Sequence, residues 1–354
     1  MLSGLSDILD GPDGAVGSAK KRYTAINVAD LSPANDPFTQ LLDDEVDWIS
    51  YSGLPANLIE RKVQRIKISR YRAAFQASRA VRPGHFVISH LPLMTAAVAT
   101  SMSLLAKDAP HLAFSFNFTD LPKGSRLGYF RKALSKVDRF AVYSHFEVKR
   151  YSEHFDLAPD LLQPVIWTQE IPAVQSDPAL PLGRSYVCAL GGEGRDFDLL
   201  IEAARRLGPT MPMVVIARPH SLQGIALPDH VQLLTNIPAE RAWRIAVDSL
   251  GVLIPLKSPE TCCGHITLVS AKMLGLPVAT TFAHATREYV EGREAVLQCN
   301  SNDVAAFAGL IERLFDEQSE LARKAKLAAT VEQKFHDRSH WADYLRSFIR
   351  QSAF

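Results

Sequence analysis

The sequence predicts an α/β protein built from two doubly wound domains that face each other across a cleft. Apolar runs of strand length alternate with segments of helical period through most of the chain, the pattern of βαβ units and parallel sheets. Between Glu170 and Arg184 the texture changes to Ile171-Pro172-Ala173-Val174-Gln175-Ser176-Asp177-Pro178-Ala179-Leu180-Pro181. Three prolines without periodicity make this a linker. A chain of 354 residues is long enough for a domain on each side of it.

Residues 1–20 are rich in Gly, Ser and Asp and are expected to be flexible. Tyr23-Thr24-Ala25-Ile26-Asn27-Val28 suits a buried parallel strand. The turn-rich stretch 31–37 then leads to a helix around 38–42 and a strand at 46–51. A long helix is predicted over 57–82 and a strand over 85–89. The alternation continues with helix 93–106, strand 111–117, helix 125–136, strand 139–143, helix 145–154 and strand 164–168. Beyond the linker it restarts: strand 185–190, helix 196–207, strands 213–217 and 231–234, helix 238–247, strand 251–256, helix 265–274 and strand 277–281. A helical tail runs from 302 to the end, and its segment 341–348 is expected to pack back across the hinge. The predicted domains are therefore 21–170 and 185–335, with a linker at 171–184 and a closing helix at 336–354.

Composition narrows the function. Apolar residues at 47% and charged residues at 22% suit a globular protein with a full core, and a net charge of +1 implies no partner by itself. Cys188, Cys262, Cys263 and Cys299 form no CxxC pair, so reduced thiols in a cytoplasmic protein are expected. The first thirty residues lack the apolar core of a signal peptide, and no run approaches membrane-spanning length. Scattered aromatics without interleaved basic residues disfavour nucleic acid. No His/Cys/Asp group has metal-ligand spacing, so no tightly bound metal or other cofactor is expected.

Two segments of the second half carry the chemistry. In 185–200, Tyr186–Leu190 runs into Gly191-Gly192-Glu193-Gly194-Arg195 and then a helix. In 255–280, a strand runs into a turn holding Glu260 and Gly264, and a helix follows from His265. Glycines admit a ligand close to the backbone, and the free N–H groups of a helix start favour anions. Two such turns fit a diphosphate with a group at each end, as in a nucleotide-sugar. The spacing of Gly191-Gly192-Glu193-Gly194 does not match a dinucleotide turn.

These segments resemble retaining glycosyltransferases of the two-Rossmann (GT-B) fold, most nearly family 4. The likeness lies in Leu190–Ala203, in Asn236–Leu256, in Ser270-Ala271-Lys272-Met273-Leu274-Gly275-Leu276-Pro277-Val278, and in Arg287–Gly292. The resemblance implies a nucleotide-sugar donor held by the C-terminal domain and an acceptor held by the N-terminal domain. It implies that Glu260 meets the donor sugar. The ribose-binding glutamate of the family is Ser270 here, ten residues on and so two beyond the family spacing. The family's Arg and Lys on the diphosphate are reduced to Arg195, with Arg218 in Ala217-Arg218-Pro219-His220 as a substitute.

The residues themselves can be read for that chemistry. Breaking a sugar–diphosphate bond leaves negative charge that cations and helix N-termini must stabilise. Arg195 can grip phosphate oxygens in a fork, or it can be an exposed helix-start residue. Glu260, at a strand end, can orient sugar hydroxyls or sit solvated in its loop. Gly191, Gly192, Gly194 and Gly264 would let the donor approach, and Gly264-His265-Ile266-Thr267 would offer amides to it. His265 is a ligand contact or a helix-start residue. His90, closing its strand, can bond a sugar hydroxyl or share a developing proton, or serve as a core histidine. Asn117 and Asp120 end another strand on that side, and His145 and Glu147 start a helix.

Within 57–82, Arg61, Arg65, Arg72 and Arg79 fall within about 40° of one another at 100° per residue. Ile59, Val63, Ile66, Ala73, Ala77 and Val81 make the opposite stripe. More basic residues follow at Lys123, Arg126, Arg131, Lys132, Lys136 and Arg139. This basic face suits an anionic membrane surface, or it is a solvated helix face. Arg70 lies inside the apolar stripe and must find a partner or face the cleft. The sequence thus points to metal-independent transfer of a sugar from a nucleotide-sugar to a glycan or lipid-linked acceptor, in polysaccharide or glycoconjugate synthesis. Its alternatives are a non-catalytic relative, motivated by Ser270, and a nucleotide-sugar epimerase or hydrolase.

Overall fold

A computed structural model describes residues 23–32, 36, 38–62, 67–177, 185–192 and 194–352. The predicted flexible N-terminus, part of the linker, and Val63, Arg65, Ile66 and Glu193 lie outside the described residues.

The first domain runs β1 (Tyr23–Ala29), β2 (Val46–Ser52), α1 (Leu58–Lys62), α2 (Ile68–Ala80), β3 (His85–His90), α3 (Pro92–Leu104), β4 (His111–Phe114), α4 (Gly124–Leu134), β5 (Arg139–Val142), α5 (His145–Phe155) and β6 (Leu162–Pro164). The second runs β7 (Val187–Leu190), α6 (Phe197–Leu207), β8 (Met213–Ile216), β9 (Val231–Leu234), α7 (Ala239–Val247), β10 (Val252–Ile254), α8 (His265–Met273), β11 (Val278–Thr281), α9 (Arg287–Val290), β12 (Val296–Cys299), α10 (Val304–Asp316) and α11 (Gln318–Phe335). A last helix, α12 (Ser339–Ser352), closes the described chain.

Each domain holds a six-stranded sheet, ordered β2-β1-β3-β4-β5-β6 and β12-β11-β10-β7-β8-β9. The strand pairs are parallel. Both faces are covered, so the strands are apolar throughout rather than alternating. In β10 Leu253 enters one core while Val252 and Ile254 enter the other. Strand order reverses between β1 and β3, and again between β7 and β10. Ligand crevices of such sheets lie beyond the carboxyl ends of those strands.

Helix α12 crosses back to the first domain. Leu345, Phe348 and Ile349 are buried in its core beside Phe86 and Leu112, and Trp341 Nε1 donates to the Ile166 carbonyl at 2.8 Å. A buried charge cluster secures the hinge. Glu332 meets Lys272 at 2.7 Å and Arg293 at 3.1 Å, and His336 at 3.4 Å. His336 Nδ1 faces the Trp167 carbonyl at 2.7 Å, and Gln169 N–H donates to the His336 carbonyl at 3.1 Å. Burial opposes the Glu332 carboxylate, but the His336 hydrogen bond and the Lys272 and Arg293 charges outweigh it and hold its pKa down.

Several elements differ from expectation. The predicted helix 57–82 is two helices, with Lys67 in the left-handed region (φ 55°) ahead of α2. Ile59, expected on a buried stripe, is exposed. Arg70 does find a partner: it pairs with Asp30, Nε to Oδ2 at 2.8 Å. The segment 38–42 forms successive turns, because Asp36 caps Phe38 N–H and the short stretch into β2 leaves no room for a helix. β4 is shorter than predicted, β6 lies at 162–164 rather than 164–168, and α9 and β12 were not anticipated before the helical tail. Only four residues long, β12 completes the sheet edge by pairing with β11.

Glu332→Ala should lower unfolding stability by about 3–5 kcal/mol, because it leaves Lys272 buried without its counter-charge, and chemical denaturation reads this. The sign follows from the depressed carboxyl: its contribution is complete above the unfolded pKa near 4.5 and disappears as pH falls toward about 2. The stability gap between wild type and the variant should therefore narrow over that interval.

Candidate functional site

The two glycine turns meet at the switch point of the second sheet. Gly191, Gly194 and Gly264 take φ values of 125°, 65° and 104°, where side chains are strained. Asp196 N–H donates to the Pro255 carbonyl at 2.8 Å, and Lys257 N–H to the Gly194 carbonyl at 3.1 Å. A Cβ at Gly194 would fall on Cys263 Sγ. The turns are thus one unit held by backbone hydrogen bonds.

Arg195 fills the space between them. It is 5% exposed, and its Nη2 donates to Thr267 Oγ1 at 3.0 Å, with the Leu190 carbonyl at 3.5 Å. A Cβ at Gly191 would stand 2.8 Å from that nitrogen. Burial lowers the Arg195 pKa, with nearby Cys263 opposing the shift, yet a guanidinium remains charged in proteins. Arg195 is therefore a largely buried clamp between the turns that also forms part of the wall of the polar cavity above them. Thr267, expected to offer its amide, supplies its hydroxyl to this clamp.

Two cavities open above this unit and share Gly192 and Arg218. One, of about 320 Å³, is polar: Gly194, Asp196, Asp198, His220 and Lys257 line it, and Thr119 and Asp120 reach it from the first domain. The other, of about 410 Å³, runs along Gly191, Ile216, Asn236, Ile237 and Trp243. A diphosphate over Gly192 and Arg218 would send an aromatic base toward Trp243 and a polyhydroxylated group toward the three carboxylates. Among the described residues, no three His, Cys, Asp or Glu stand close enough to hold a metal ion.

The remaining candidates are dispersed. His90 lies at the first domain's switch point, in a separate cavity of about 360 Å³ with Asp36, Ser115, Trp167, Thr168 and Trp341. Its Nε2 is 3.0 Å from Asn27 Oδ1, and burial lowers its pKa to about 4, so the ring is neutral near pH 7. His265 is buried against the Ala285 carbonyl at 2.9 Å, and burial likewise lowers its pKa to about 4. It is part of the packing of α8, not an open contact. Ser270 is buried and accepts from Gln169 Nε2 of the hinge at 2.6 Å, away from both cavities. Glu260 and Ile266 are exposed. Asn117 donates across the cleft to the Cys262 carbonyl at 3.3 Å, and His145 pairs with Glu288 at 3.0 Å. Glu147 is a buried anchor that accepts from Tyr143 N–H, Ser144 and Tyr151.

Sequence reasoning missed Lys257, Asp196, Asp198 and Trp243 as lining residues. Lys257 had a usable signal: it directly follows the end of a buried strand run.

No protein-family model matches this chain, and no curated protein does. Solved structures do. Anabaena Alr3699/HepE in complex with UDP-glucose shares 11% identity and a TM-score of 0.68, over 91% of this chain and 99% of that one. The sucrose-phosphate synthase of Thermosynechococcus elongatus shares 15% identity and a TM-score of 0.72, over 93% and 99%. A UDP-forming trehalose-phosphate synthase from Burkholderia xenovorans shares 12% and 0.69, over 94% and 100%. These likenesses establish the two-Rossmann, GT-B fold for the whole described architecture.

Gly194→Ala should destabilise the protein by about 1–3 kcal/mol from the left-handed backbone, with a further loss from collision with Cys263. Adding Cys263→Ala should recover the collision part alone, and denaturation of both variants measures the difference.

Proposed function

We infer that this protein transfers a sugar from a nucleotide-sugar donor to a glycan or lipid-linked acceptor, with no bound metal and with retained anomeric configuration. The observation that carries it is the joined pair of cavities over the two glycine turns, whose shape and chemistry suit base, diphosphate and sugar in that order. The fold shared with a UDP-glucose complex supports the reading, and retention rests on the family 4 resemblance.

In this reading the leaving diphosphate lies over Gly191 and Gly192. Arg218 and Lys257 take up its growing negative charge, and the N-terminus of α8 adds its dipole. Arg195 keeps the two turns in register from below. Asp196, Asp198 and Asp120 hold sugar hydroxyls, and Asp120 also brings the acceptor-bearing domain to the sugar. His90, neutral and at the first domain's switch point, contacts the acceptor. Glu260, exposed on its loop, reaches the donor when the cleft is filled. The protein is cytoplasmic, with a membrane surface as a partner where the acceptor is lipid-linked. Among the described residues no helix is long and apolar enough to cross a membrane.

Screening nucleotide-sugars by thermal shift, beginning with UDP-glucose, tests donor binding: a ligand at 100 times its Kd adds about 2.7 kcal/mol. Release of nucleoside diphosphate should then require an acceptor. Release without one would favour a hydrolase, and donor binding without release would favour a non-catalytic relative. Lys257→Ala and Arg218→Ala should each lower kcat/KM by about 100-fold with the melting temperature unchanged. Arg195→Ala should lower the melting temperature as well as the rate.

A further inference from the structure

The outer face of the first domain's helices has a composition that the transfer reaction does not use. Thirteen large apolar side chains are exposed among the described residues, and seven of them fall between Leu54 and Leu104. That concentration is too local for scattered surface hydrophobes. On α2, Ile68, Tyr71, Phe75 and Arg79 share an arc of about 80° at 100° per residue, and all four are exposed. The buried face of α2 holds only small residues, Ala73, Ala74 and Ala77, so its large apolar side chains face solvent, the reverse of a packed amphipathic helix.

The patch is continuous. Arg72 donates to the Leu54 carbonyl at 2.9 Å and pairs with Glu60 at 2.8 Å, which pins α1 and its exposed Leu58 and Ile59 against α2. On the other side Tyr129 of α4 lies near both Tyr71 and Thr100 of α3. Leu104, 81% exposed, lies one turn beyond Thr100.

Charge identifies the occupant. Helices α2, α3 and α4 contain six Arg and Lys and no Asp or Glu, in a chain whose cations and anions balance at 39 to 38. Arg70 and Arg72 turn inward to Asp30 and Glu60, so they leave the outer charge to Arg79, Arg126, Arg131 and Lys132, with Lys67 and Lys123 at the edges. Apolar side chains set among uncompensated cations match a bilayer with anionic headgroups. A second copy is a poor match, since a two-fold contact would set this positive face against itself.

We propose that the outer face of α1 to α4 docks on an anionic lipid bilayer, with Leu58, Ile59, Tyr71, Phe75 and Leu104 entering the headgroup region and the surrounding cations holding the lipid charge. This deepens the membrane partner named under the proposed function. It replaces the single arginine-faced helix expected from sequence with a surface shared by four helices.

Flotation of the full chain with vesicles tests it, using phosphatidylcholine alone and phosphatidylcholine mixed with phosphatidylglycerol, in low and high salt. The assay contains no donor or acceptor, so its outcome is independent of sugar transfer. Binding should require the anionic lipid and weaken in high salt. Arg126→Glu with Lys132→Glu should lower the bound fraction at least about tenfold, and Tyr71→Ser with Phe75→Ser about as much. Both double variants should keep the wild-type melting temperature. Absent binding, equal binding to neutral vesicles, or undiminished binding by both variants would overturn the proposal. So would a dimer in light scattering that the Tyr71→Ser, Phe75→Ser variant dissolves.

Discussion

A guanidinium buried between two glycine turns is the constraint on which the second domain's ligand face depends. A charge out of water is tolerated only where hydrogen bonds replace its hydration. Arg195 has the Thr267 hydroxyl and the Leu190 carbonyl for this. It can lie there because Gly191 presents no side chain, where a Cβ would stand 2.8 Å from Nη2. With that cation in place, the turn after β7 and the start of α8 are held at a fixed distance, and the cavities above them acquire their floor.

Helix α8 extends this constraint to the hinge. Its first turn supplies Thr267 to Arg195, while its last turn supplies Lys272 to the buried cluster with Glu332 and His336. Ser270, between them, bonds Gln169 of the crossing segment. One rigid helix of nine residues therefore joins the ligand face to the point where the chain passes between domains. Ser270, where the family resemblance places a ribose contact, is committed to the hinge instead. Asn236 lies on the wall of the neighbouring cavity.

Much of the architecture could be read from local pattern. Buried parallel strands such as Val252-Leu253-Ile254 are recognisable because both faces are covered, so apolar residues run without interruption. The amphipathic helices α6 and α10 carry their own periods and side-chain caps at Asp196 and Asp303. The continuous helix over 57–82 misled because periodicity alone cannot register a left-handed residue such as Lys67. Strand β12 escaped notice because four residues at a sheet edge derive their conformation from pairing with β11 rather than from their own pattern.

By itself, the sequence determined the alternation of strands and helices, the linker between two domains and the glycine turns, since each depends on residues close together in the chain. Only the tertiary structure decided how far each cation is buried. Arg195 is 5% exposed at the wall of the polar cavity while Lys257 on the same wall is exposed, because the turns pack on each other and burial depends on atoms supplied by distant segments. The same reason separates His90 from the cavities over the glycine turns and turns Arg70 and Arg72 inward, so that the remaining positive charge of three helices lies outside.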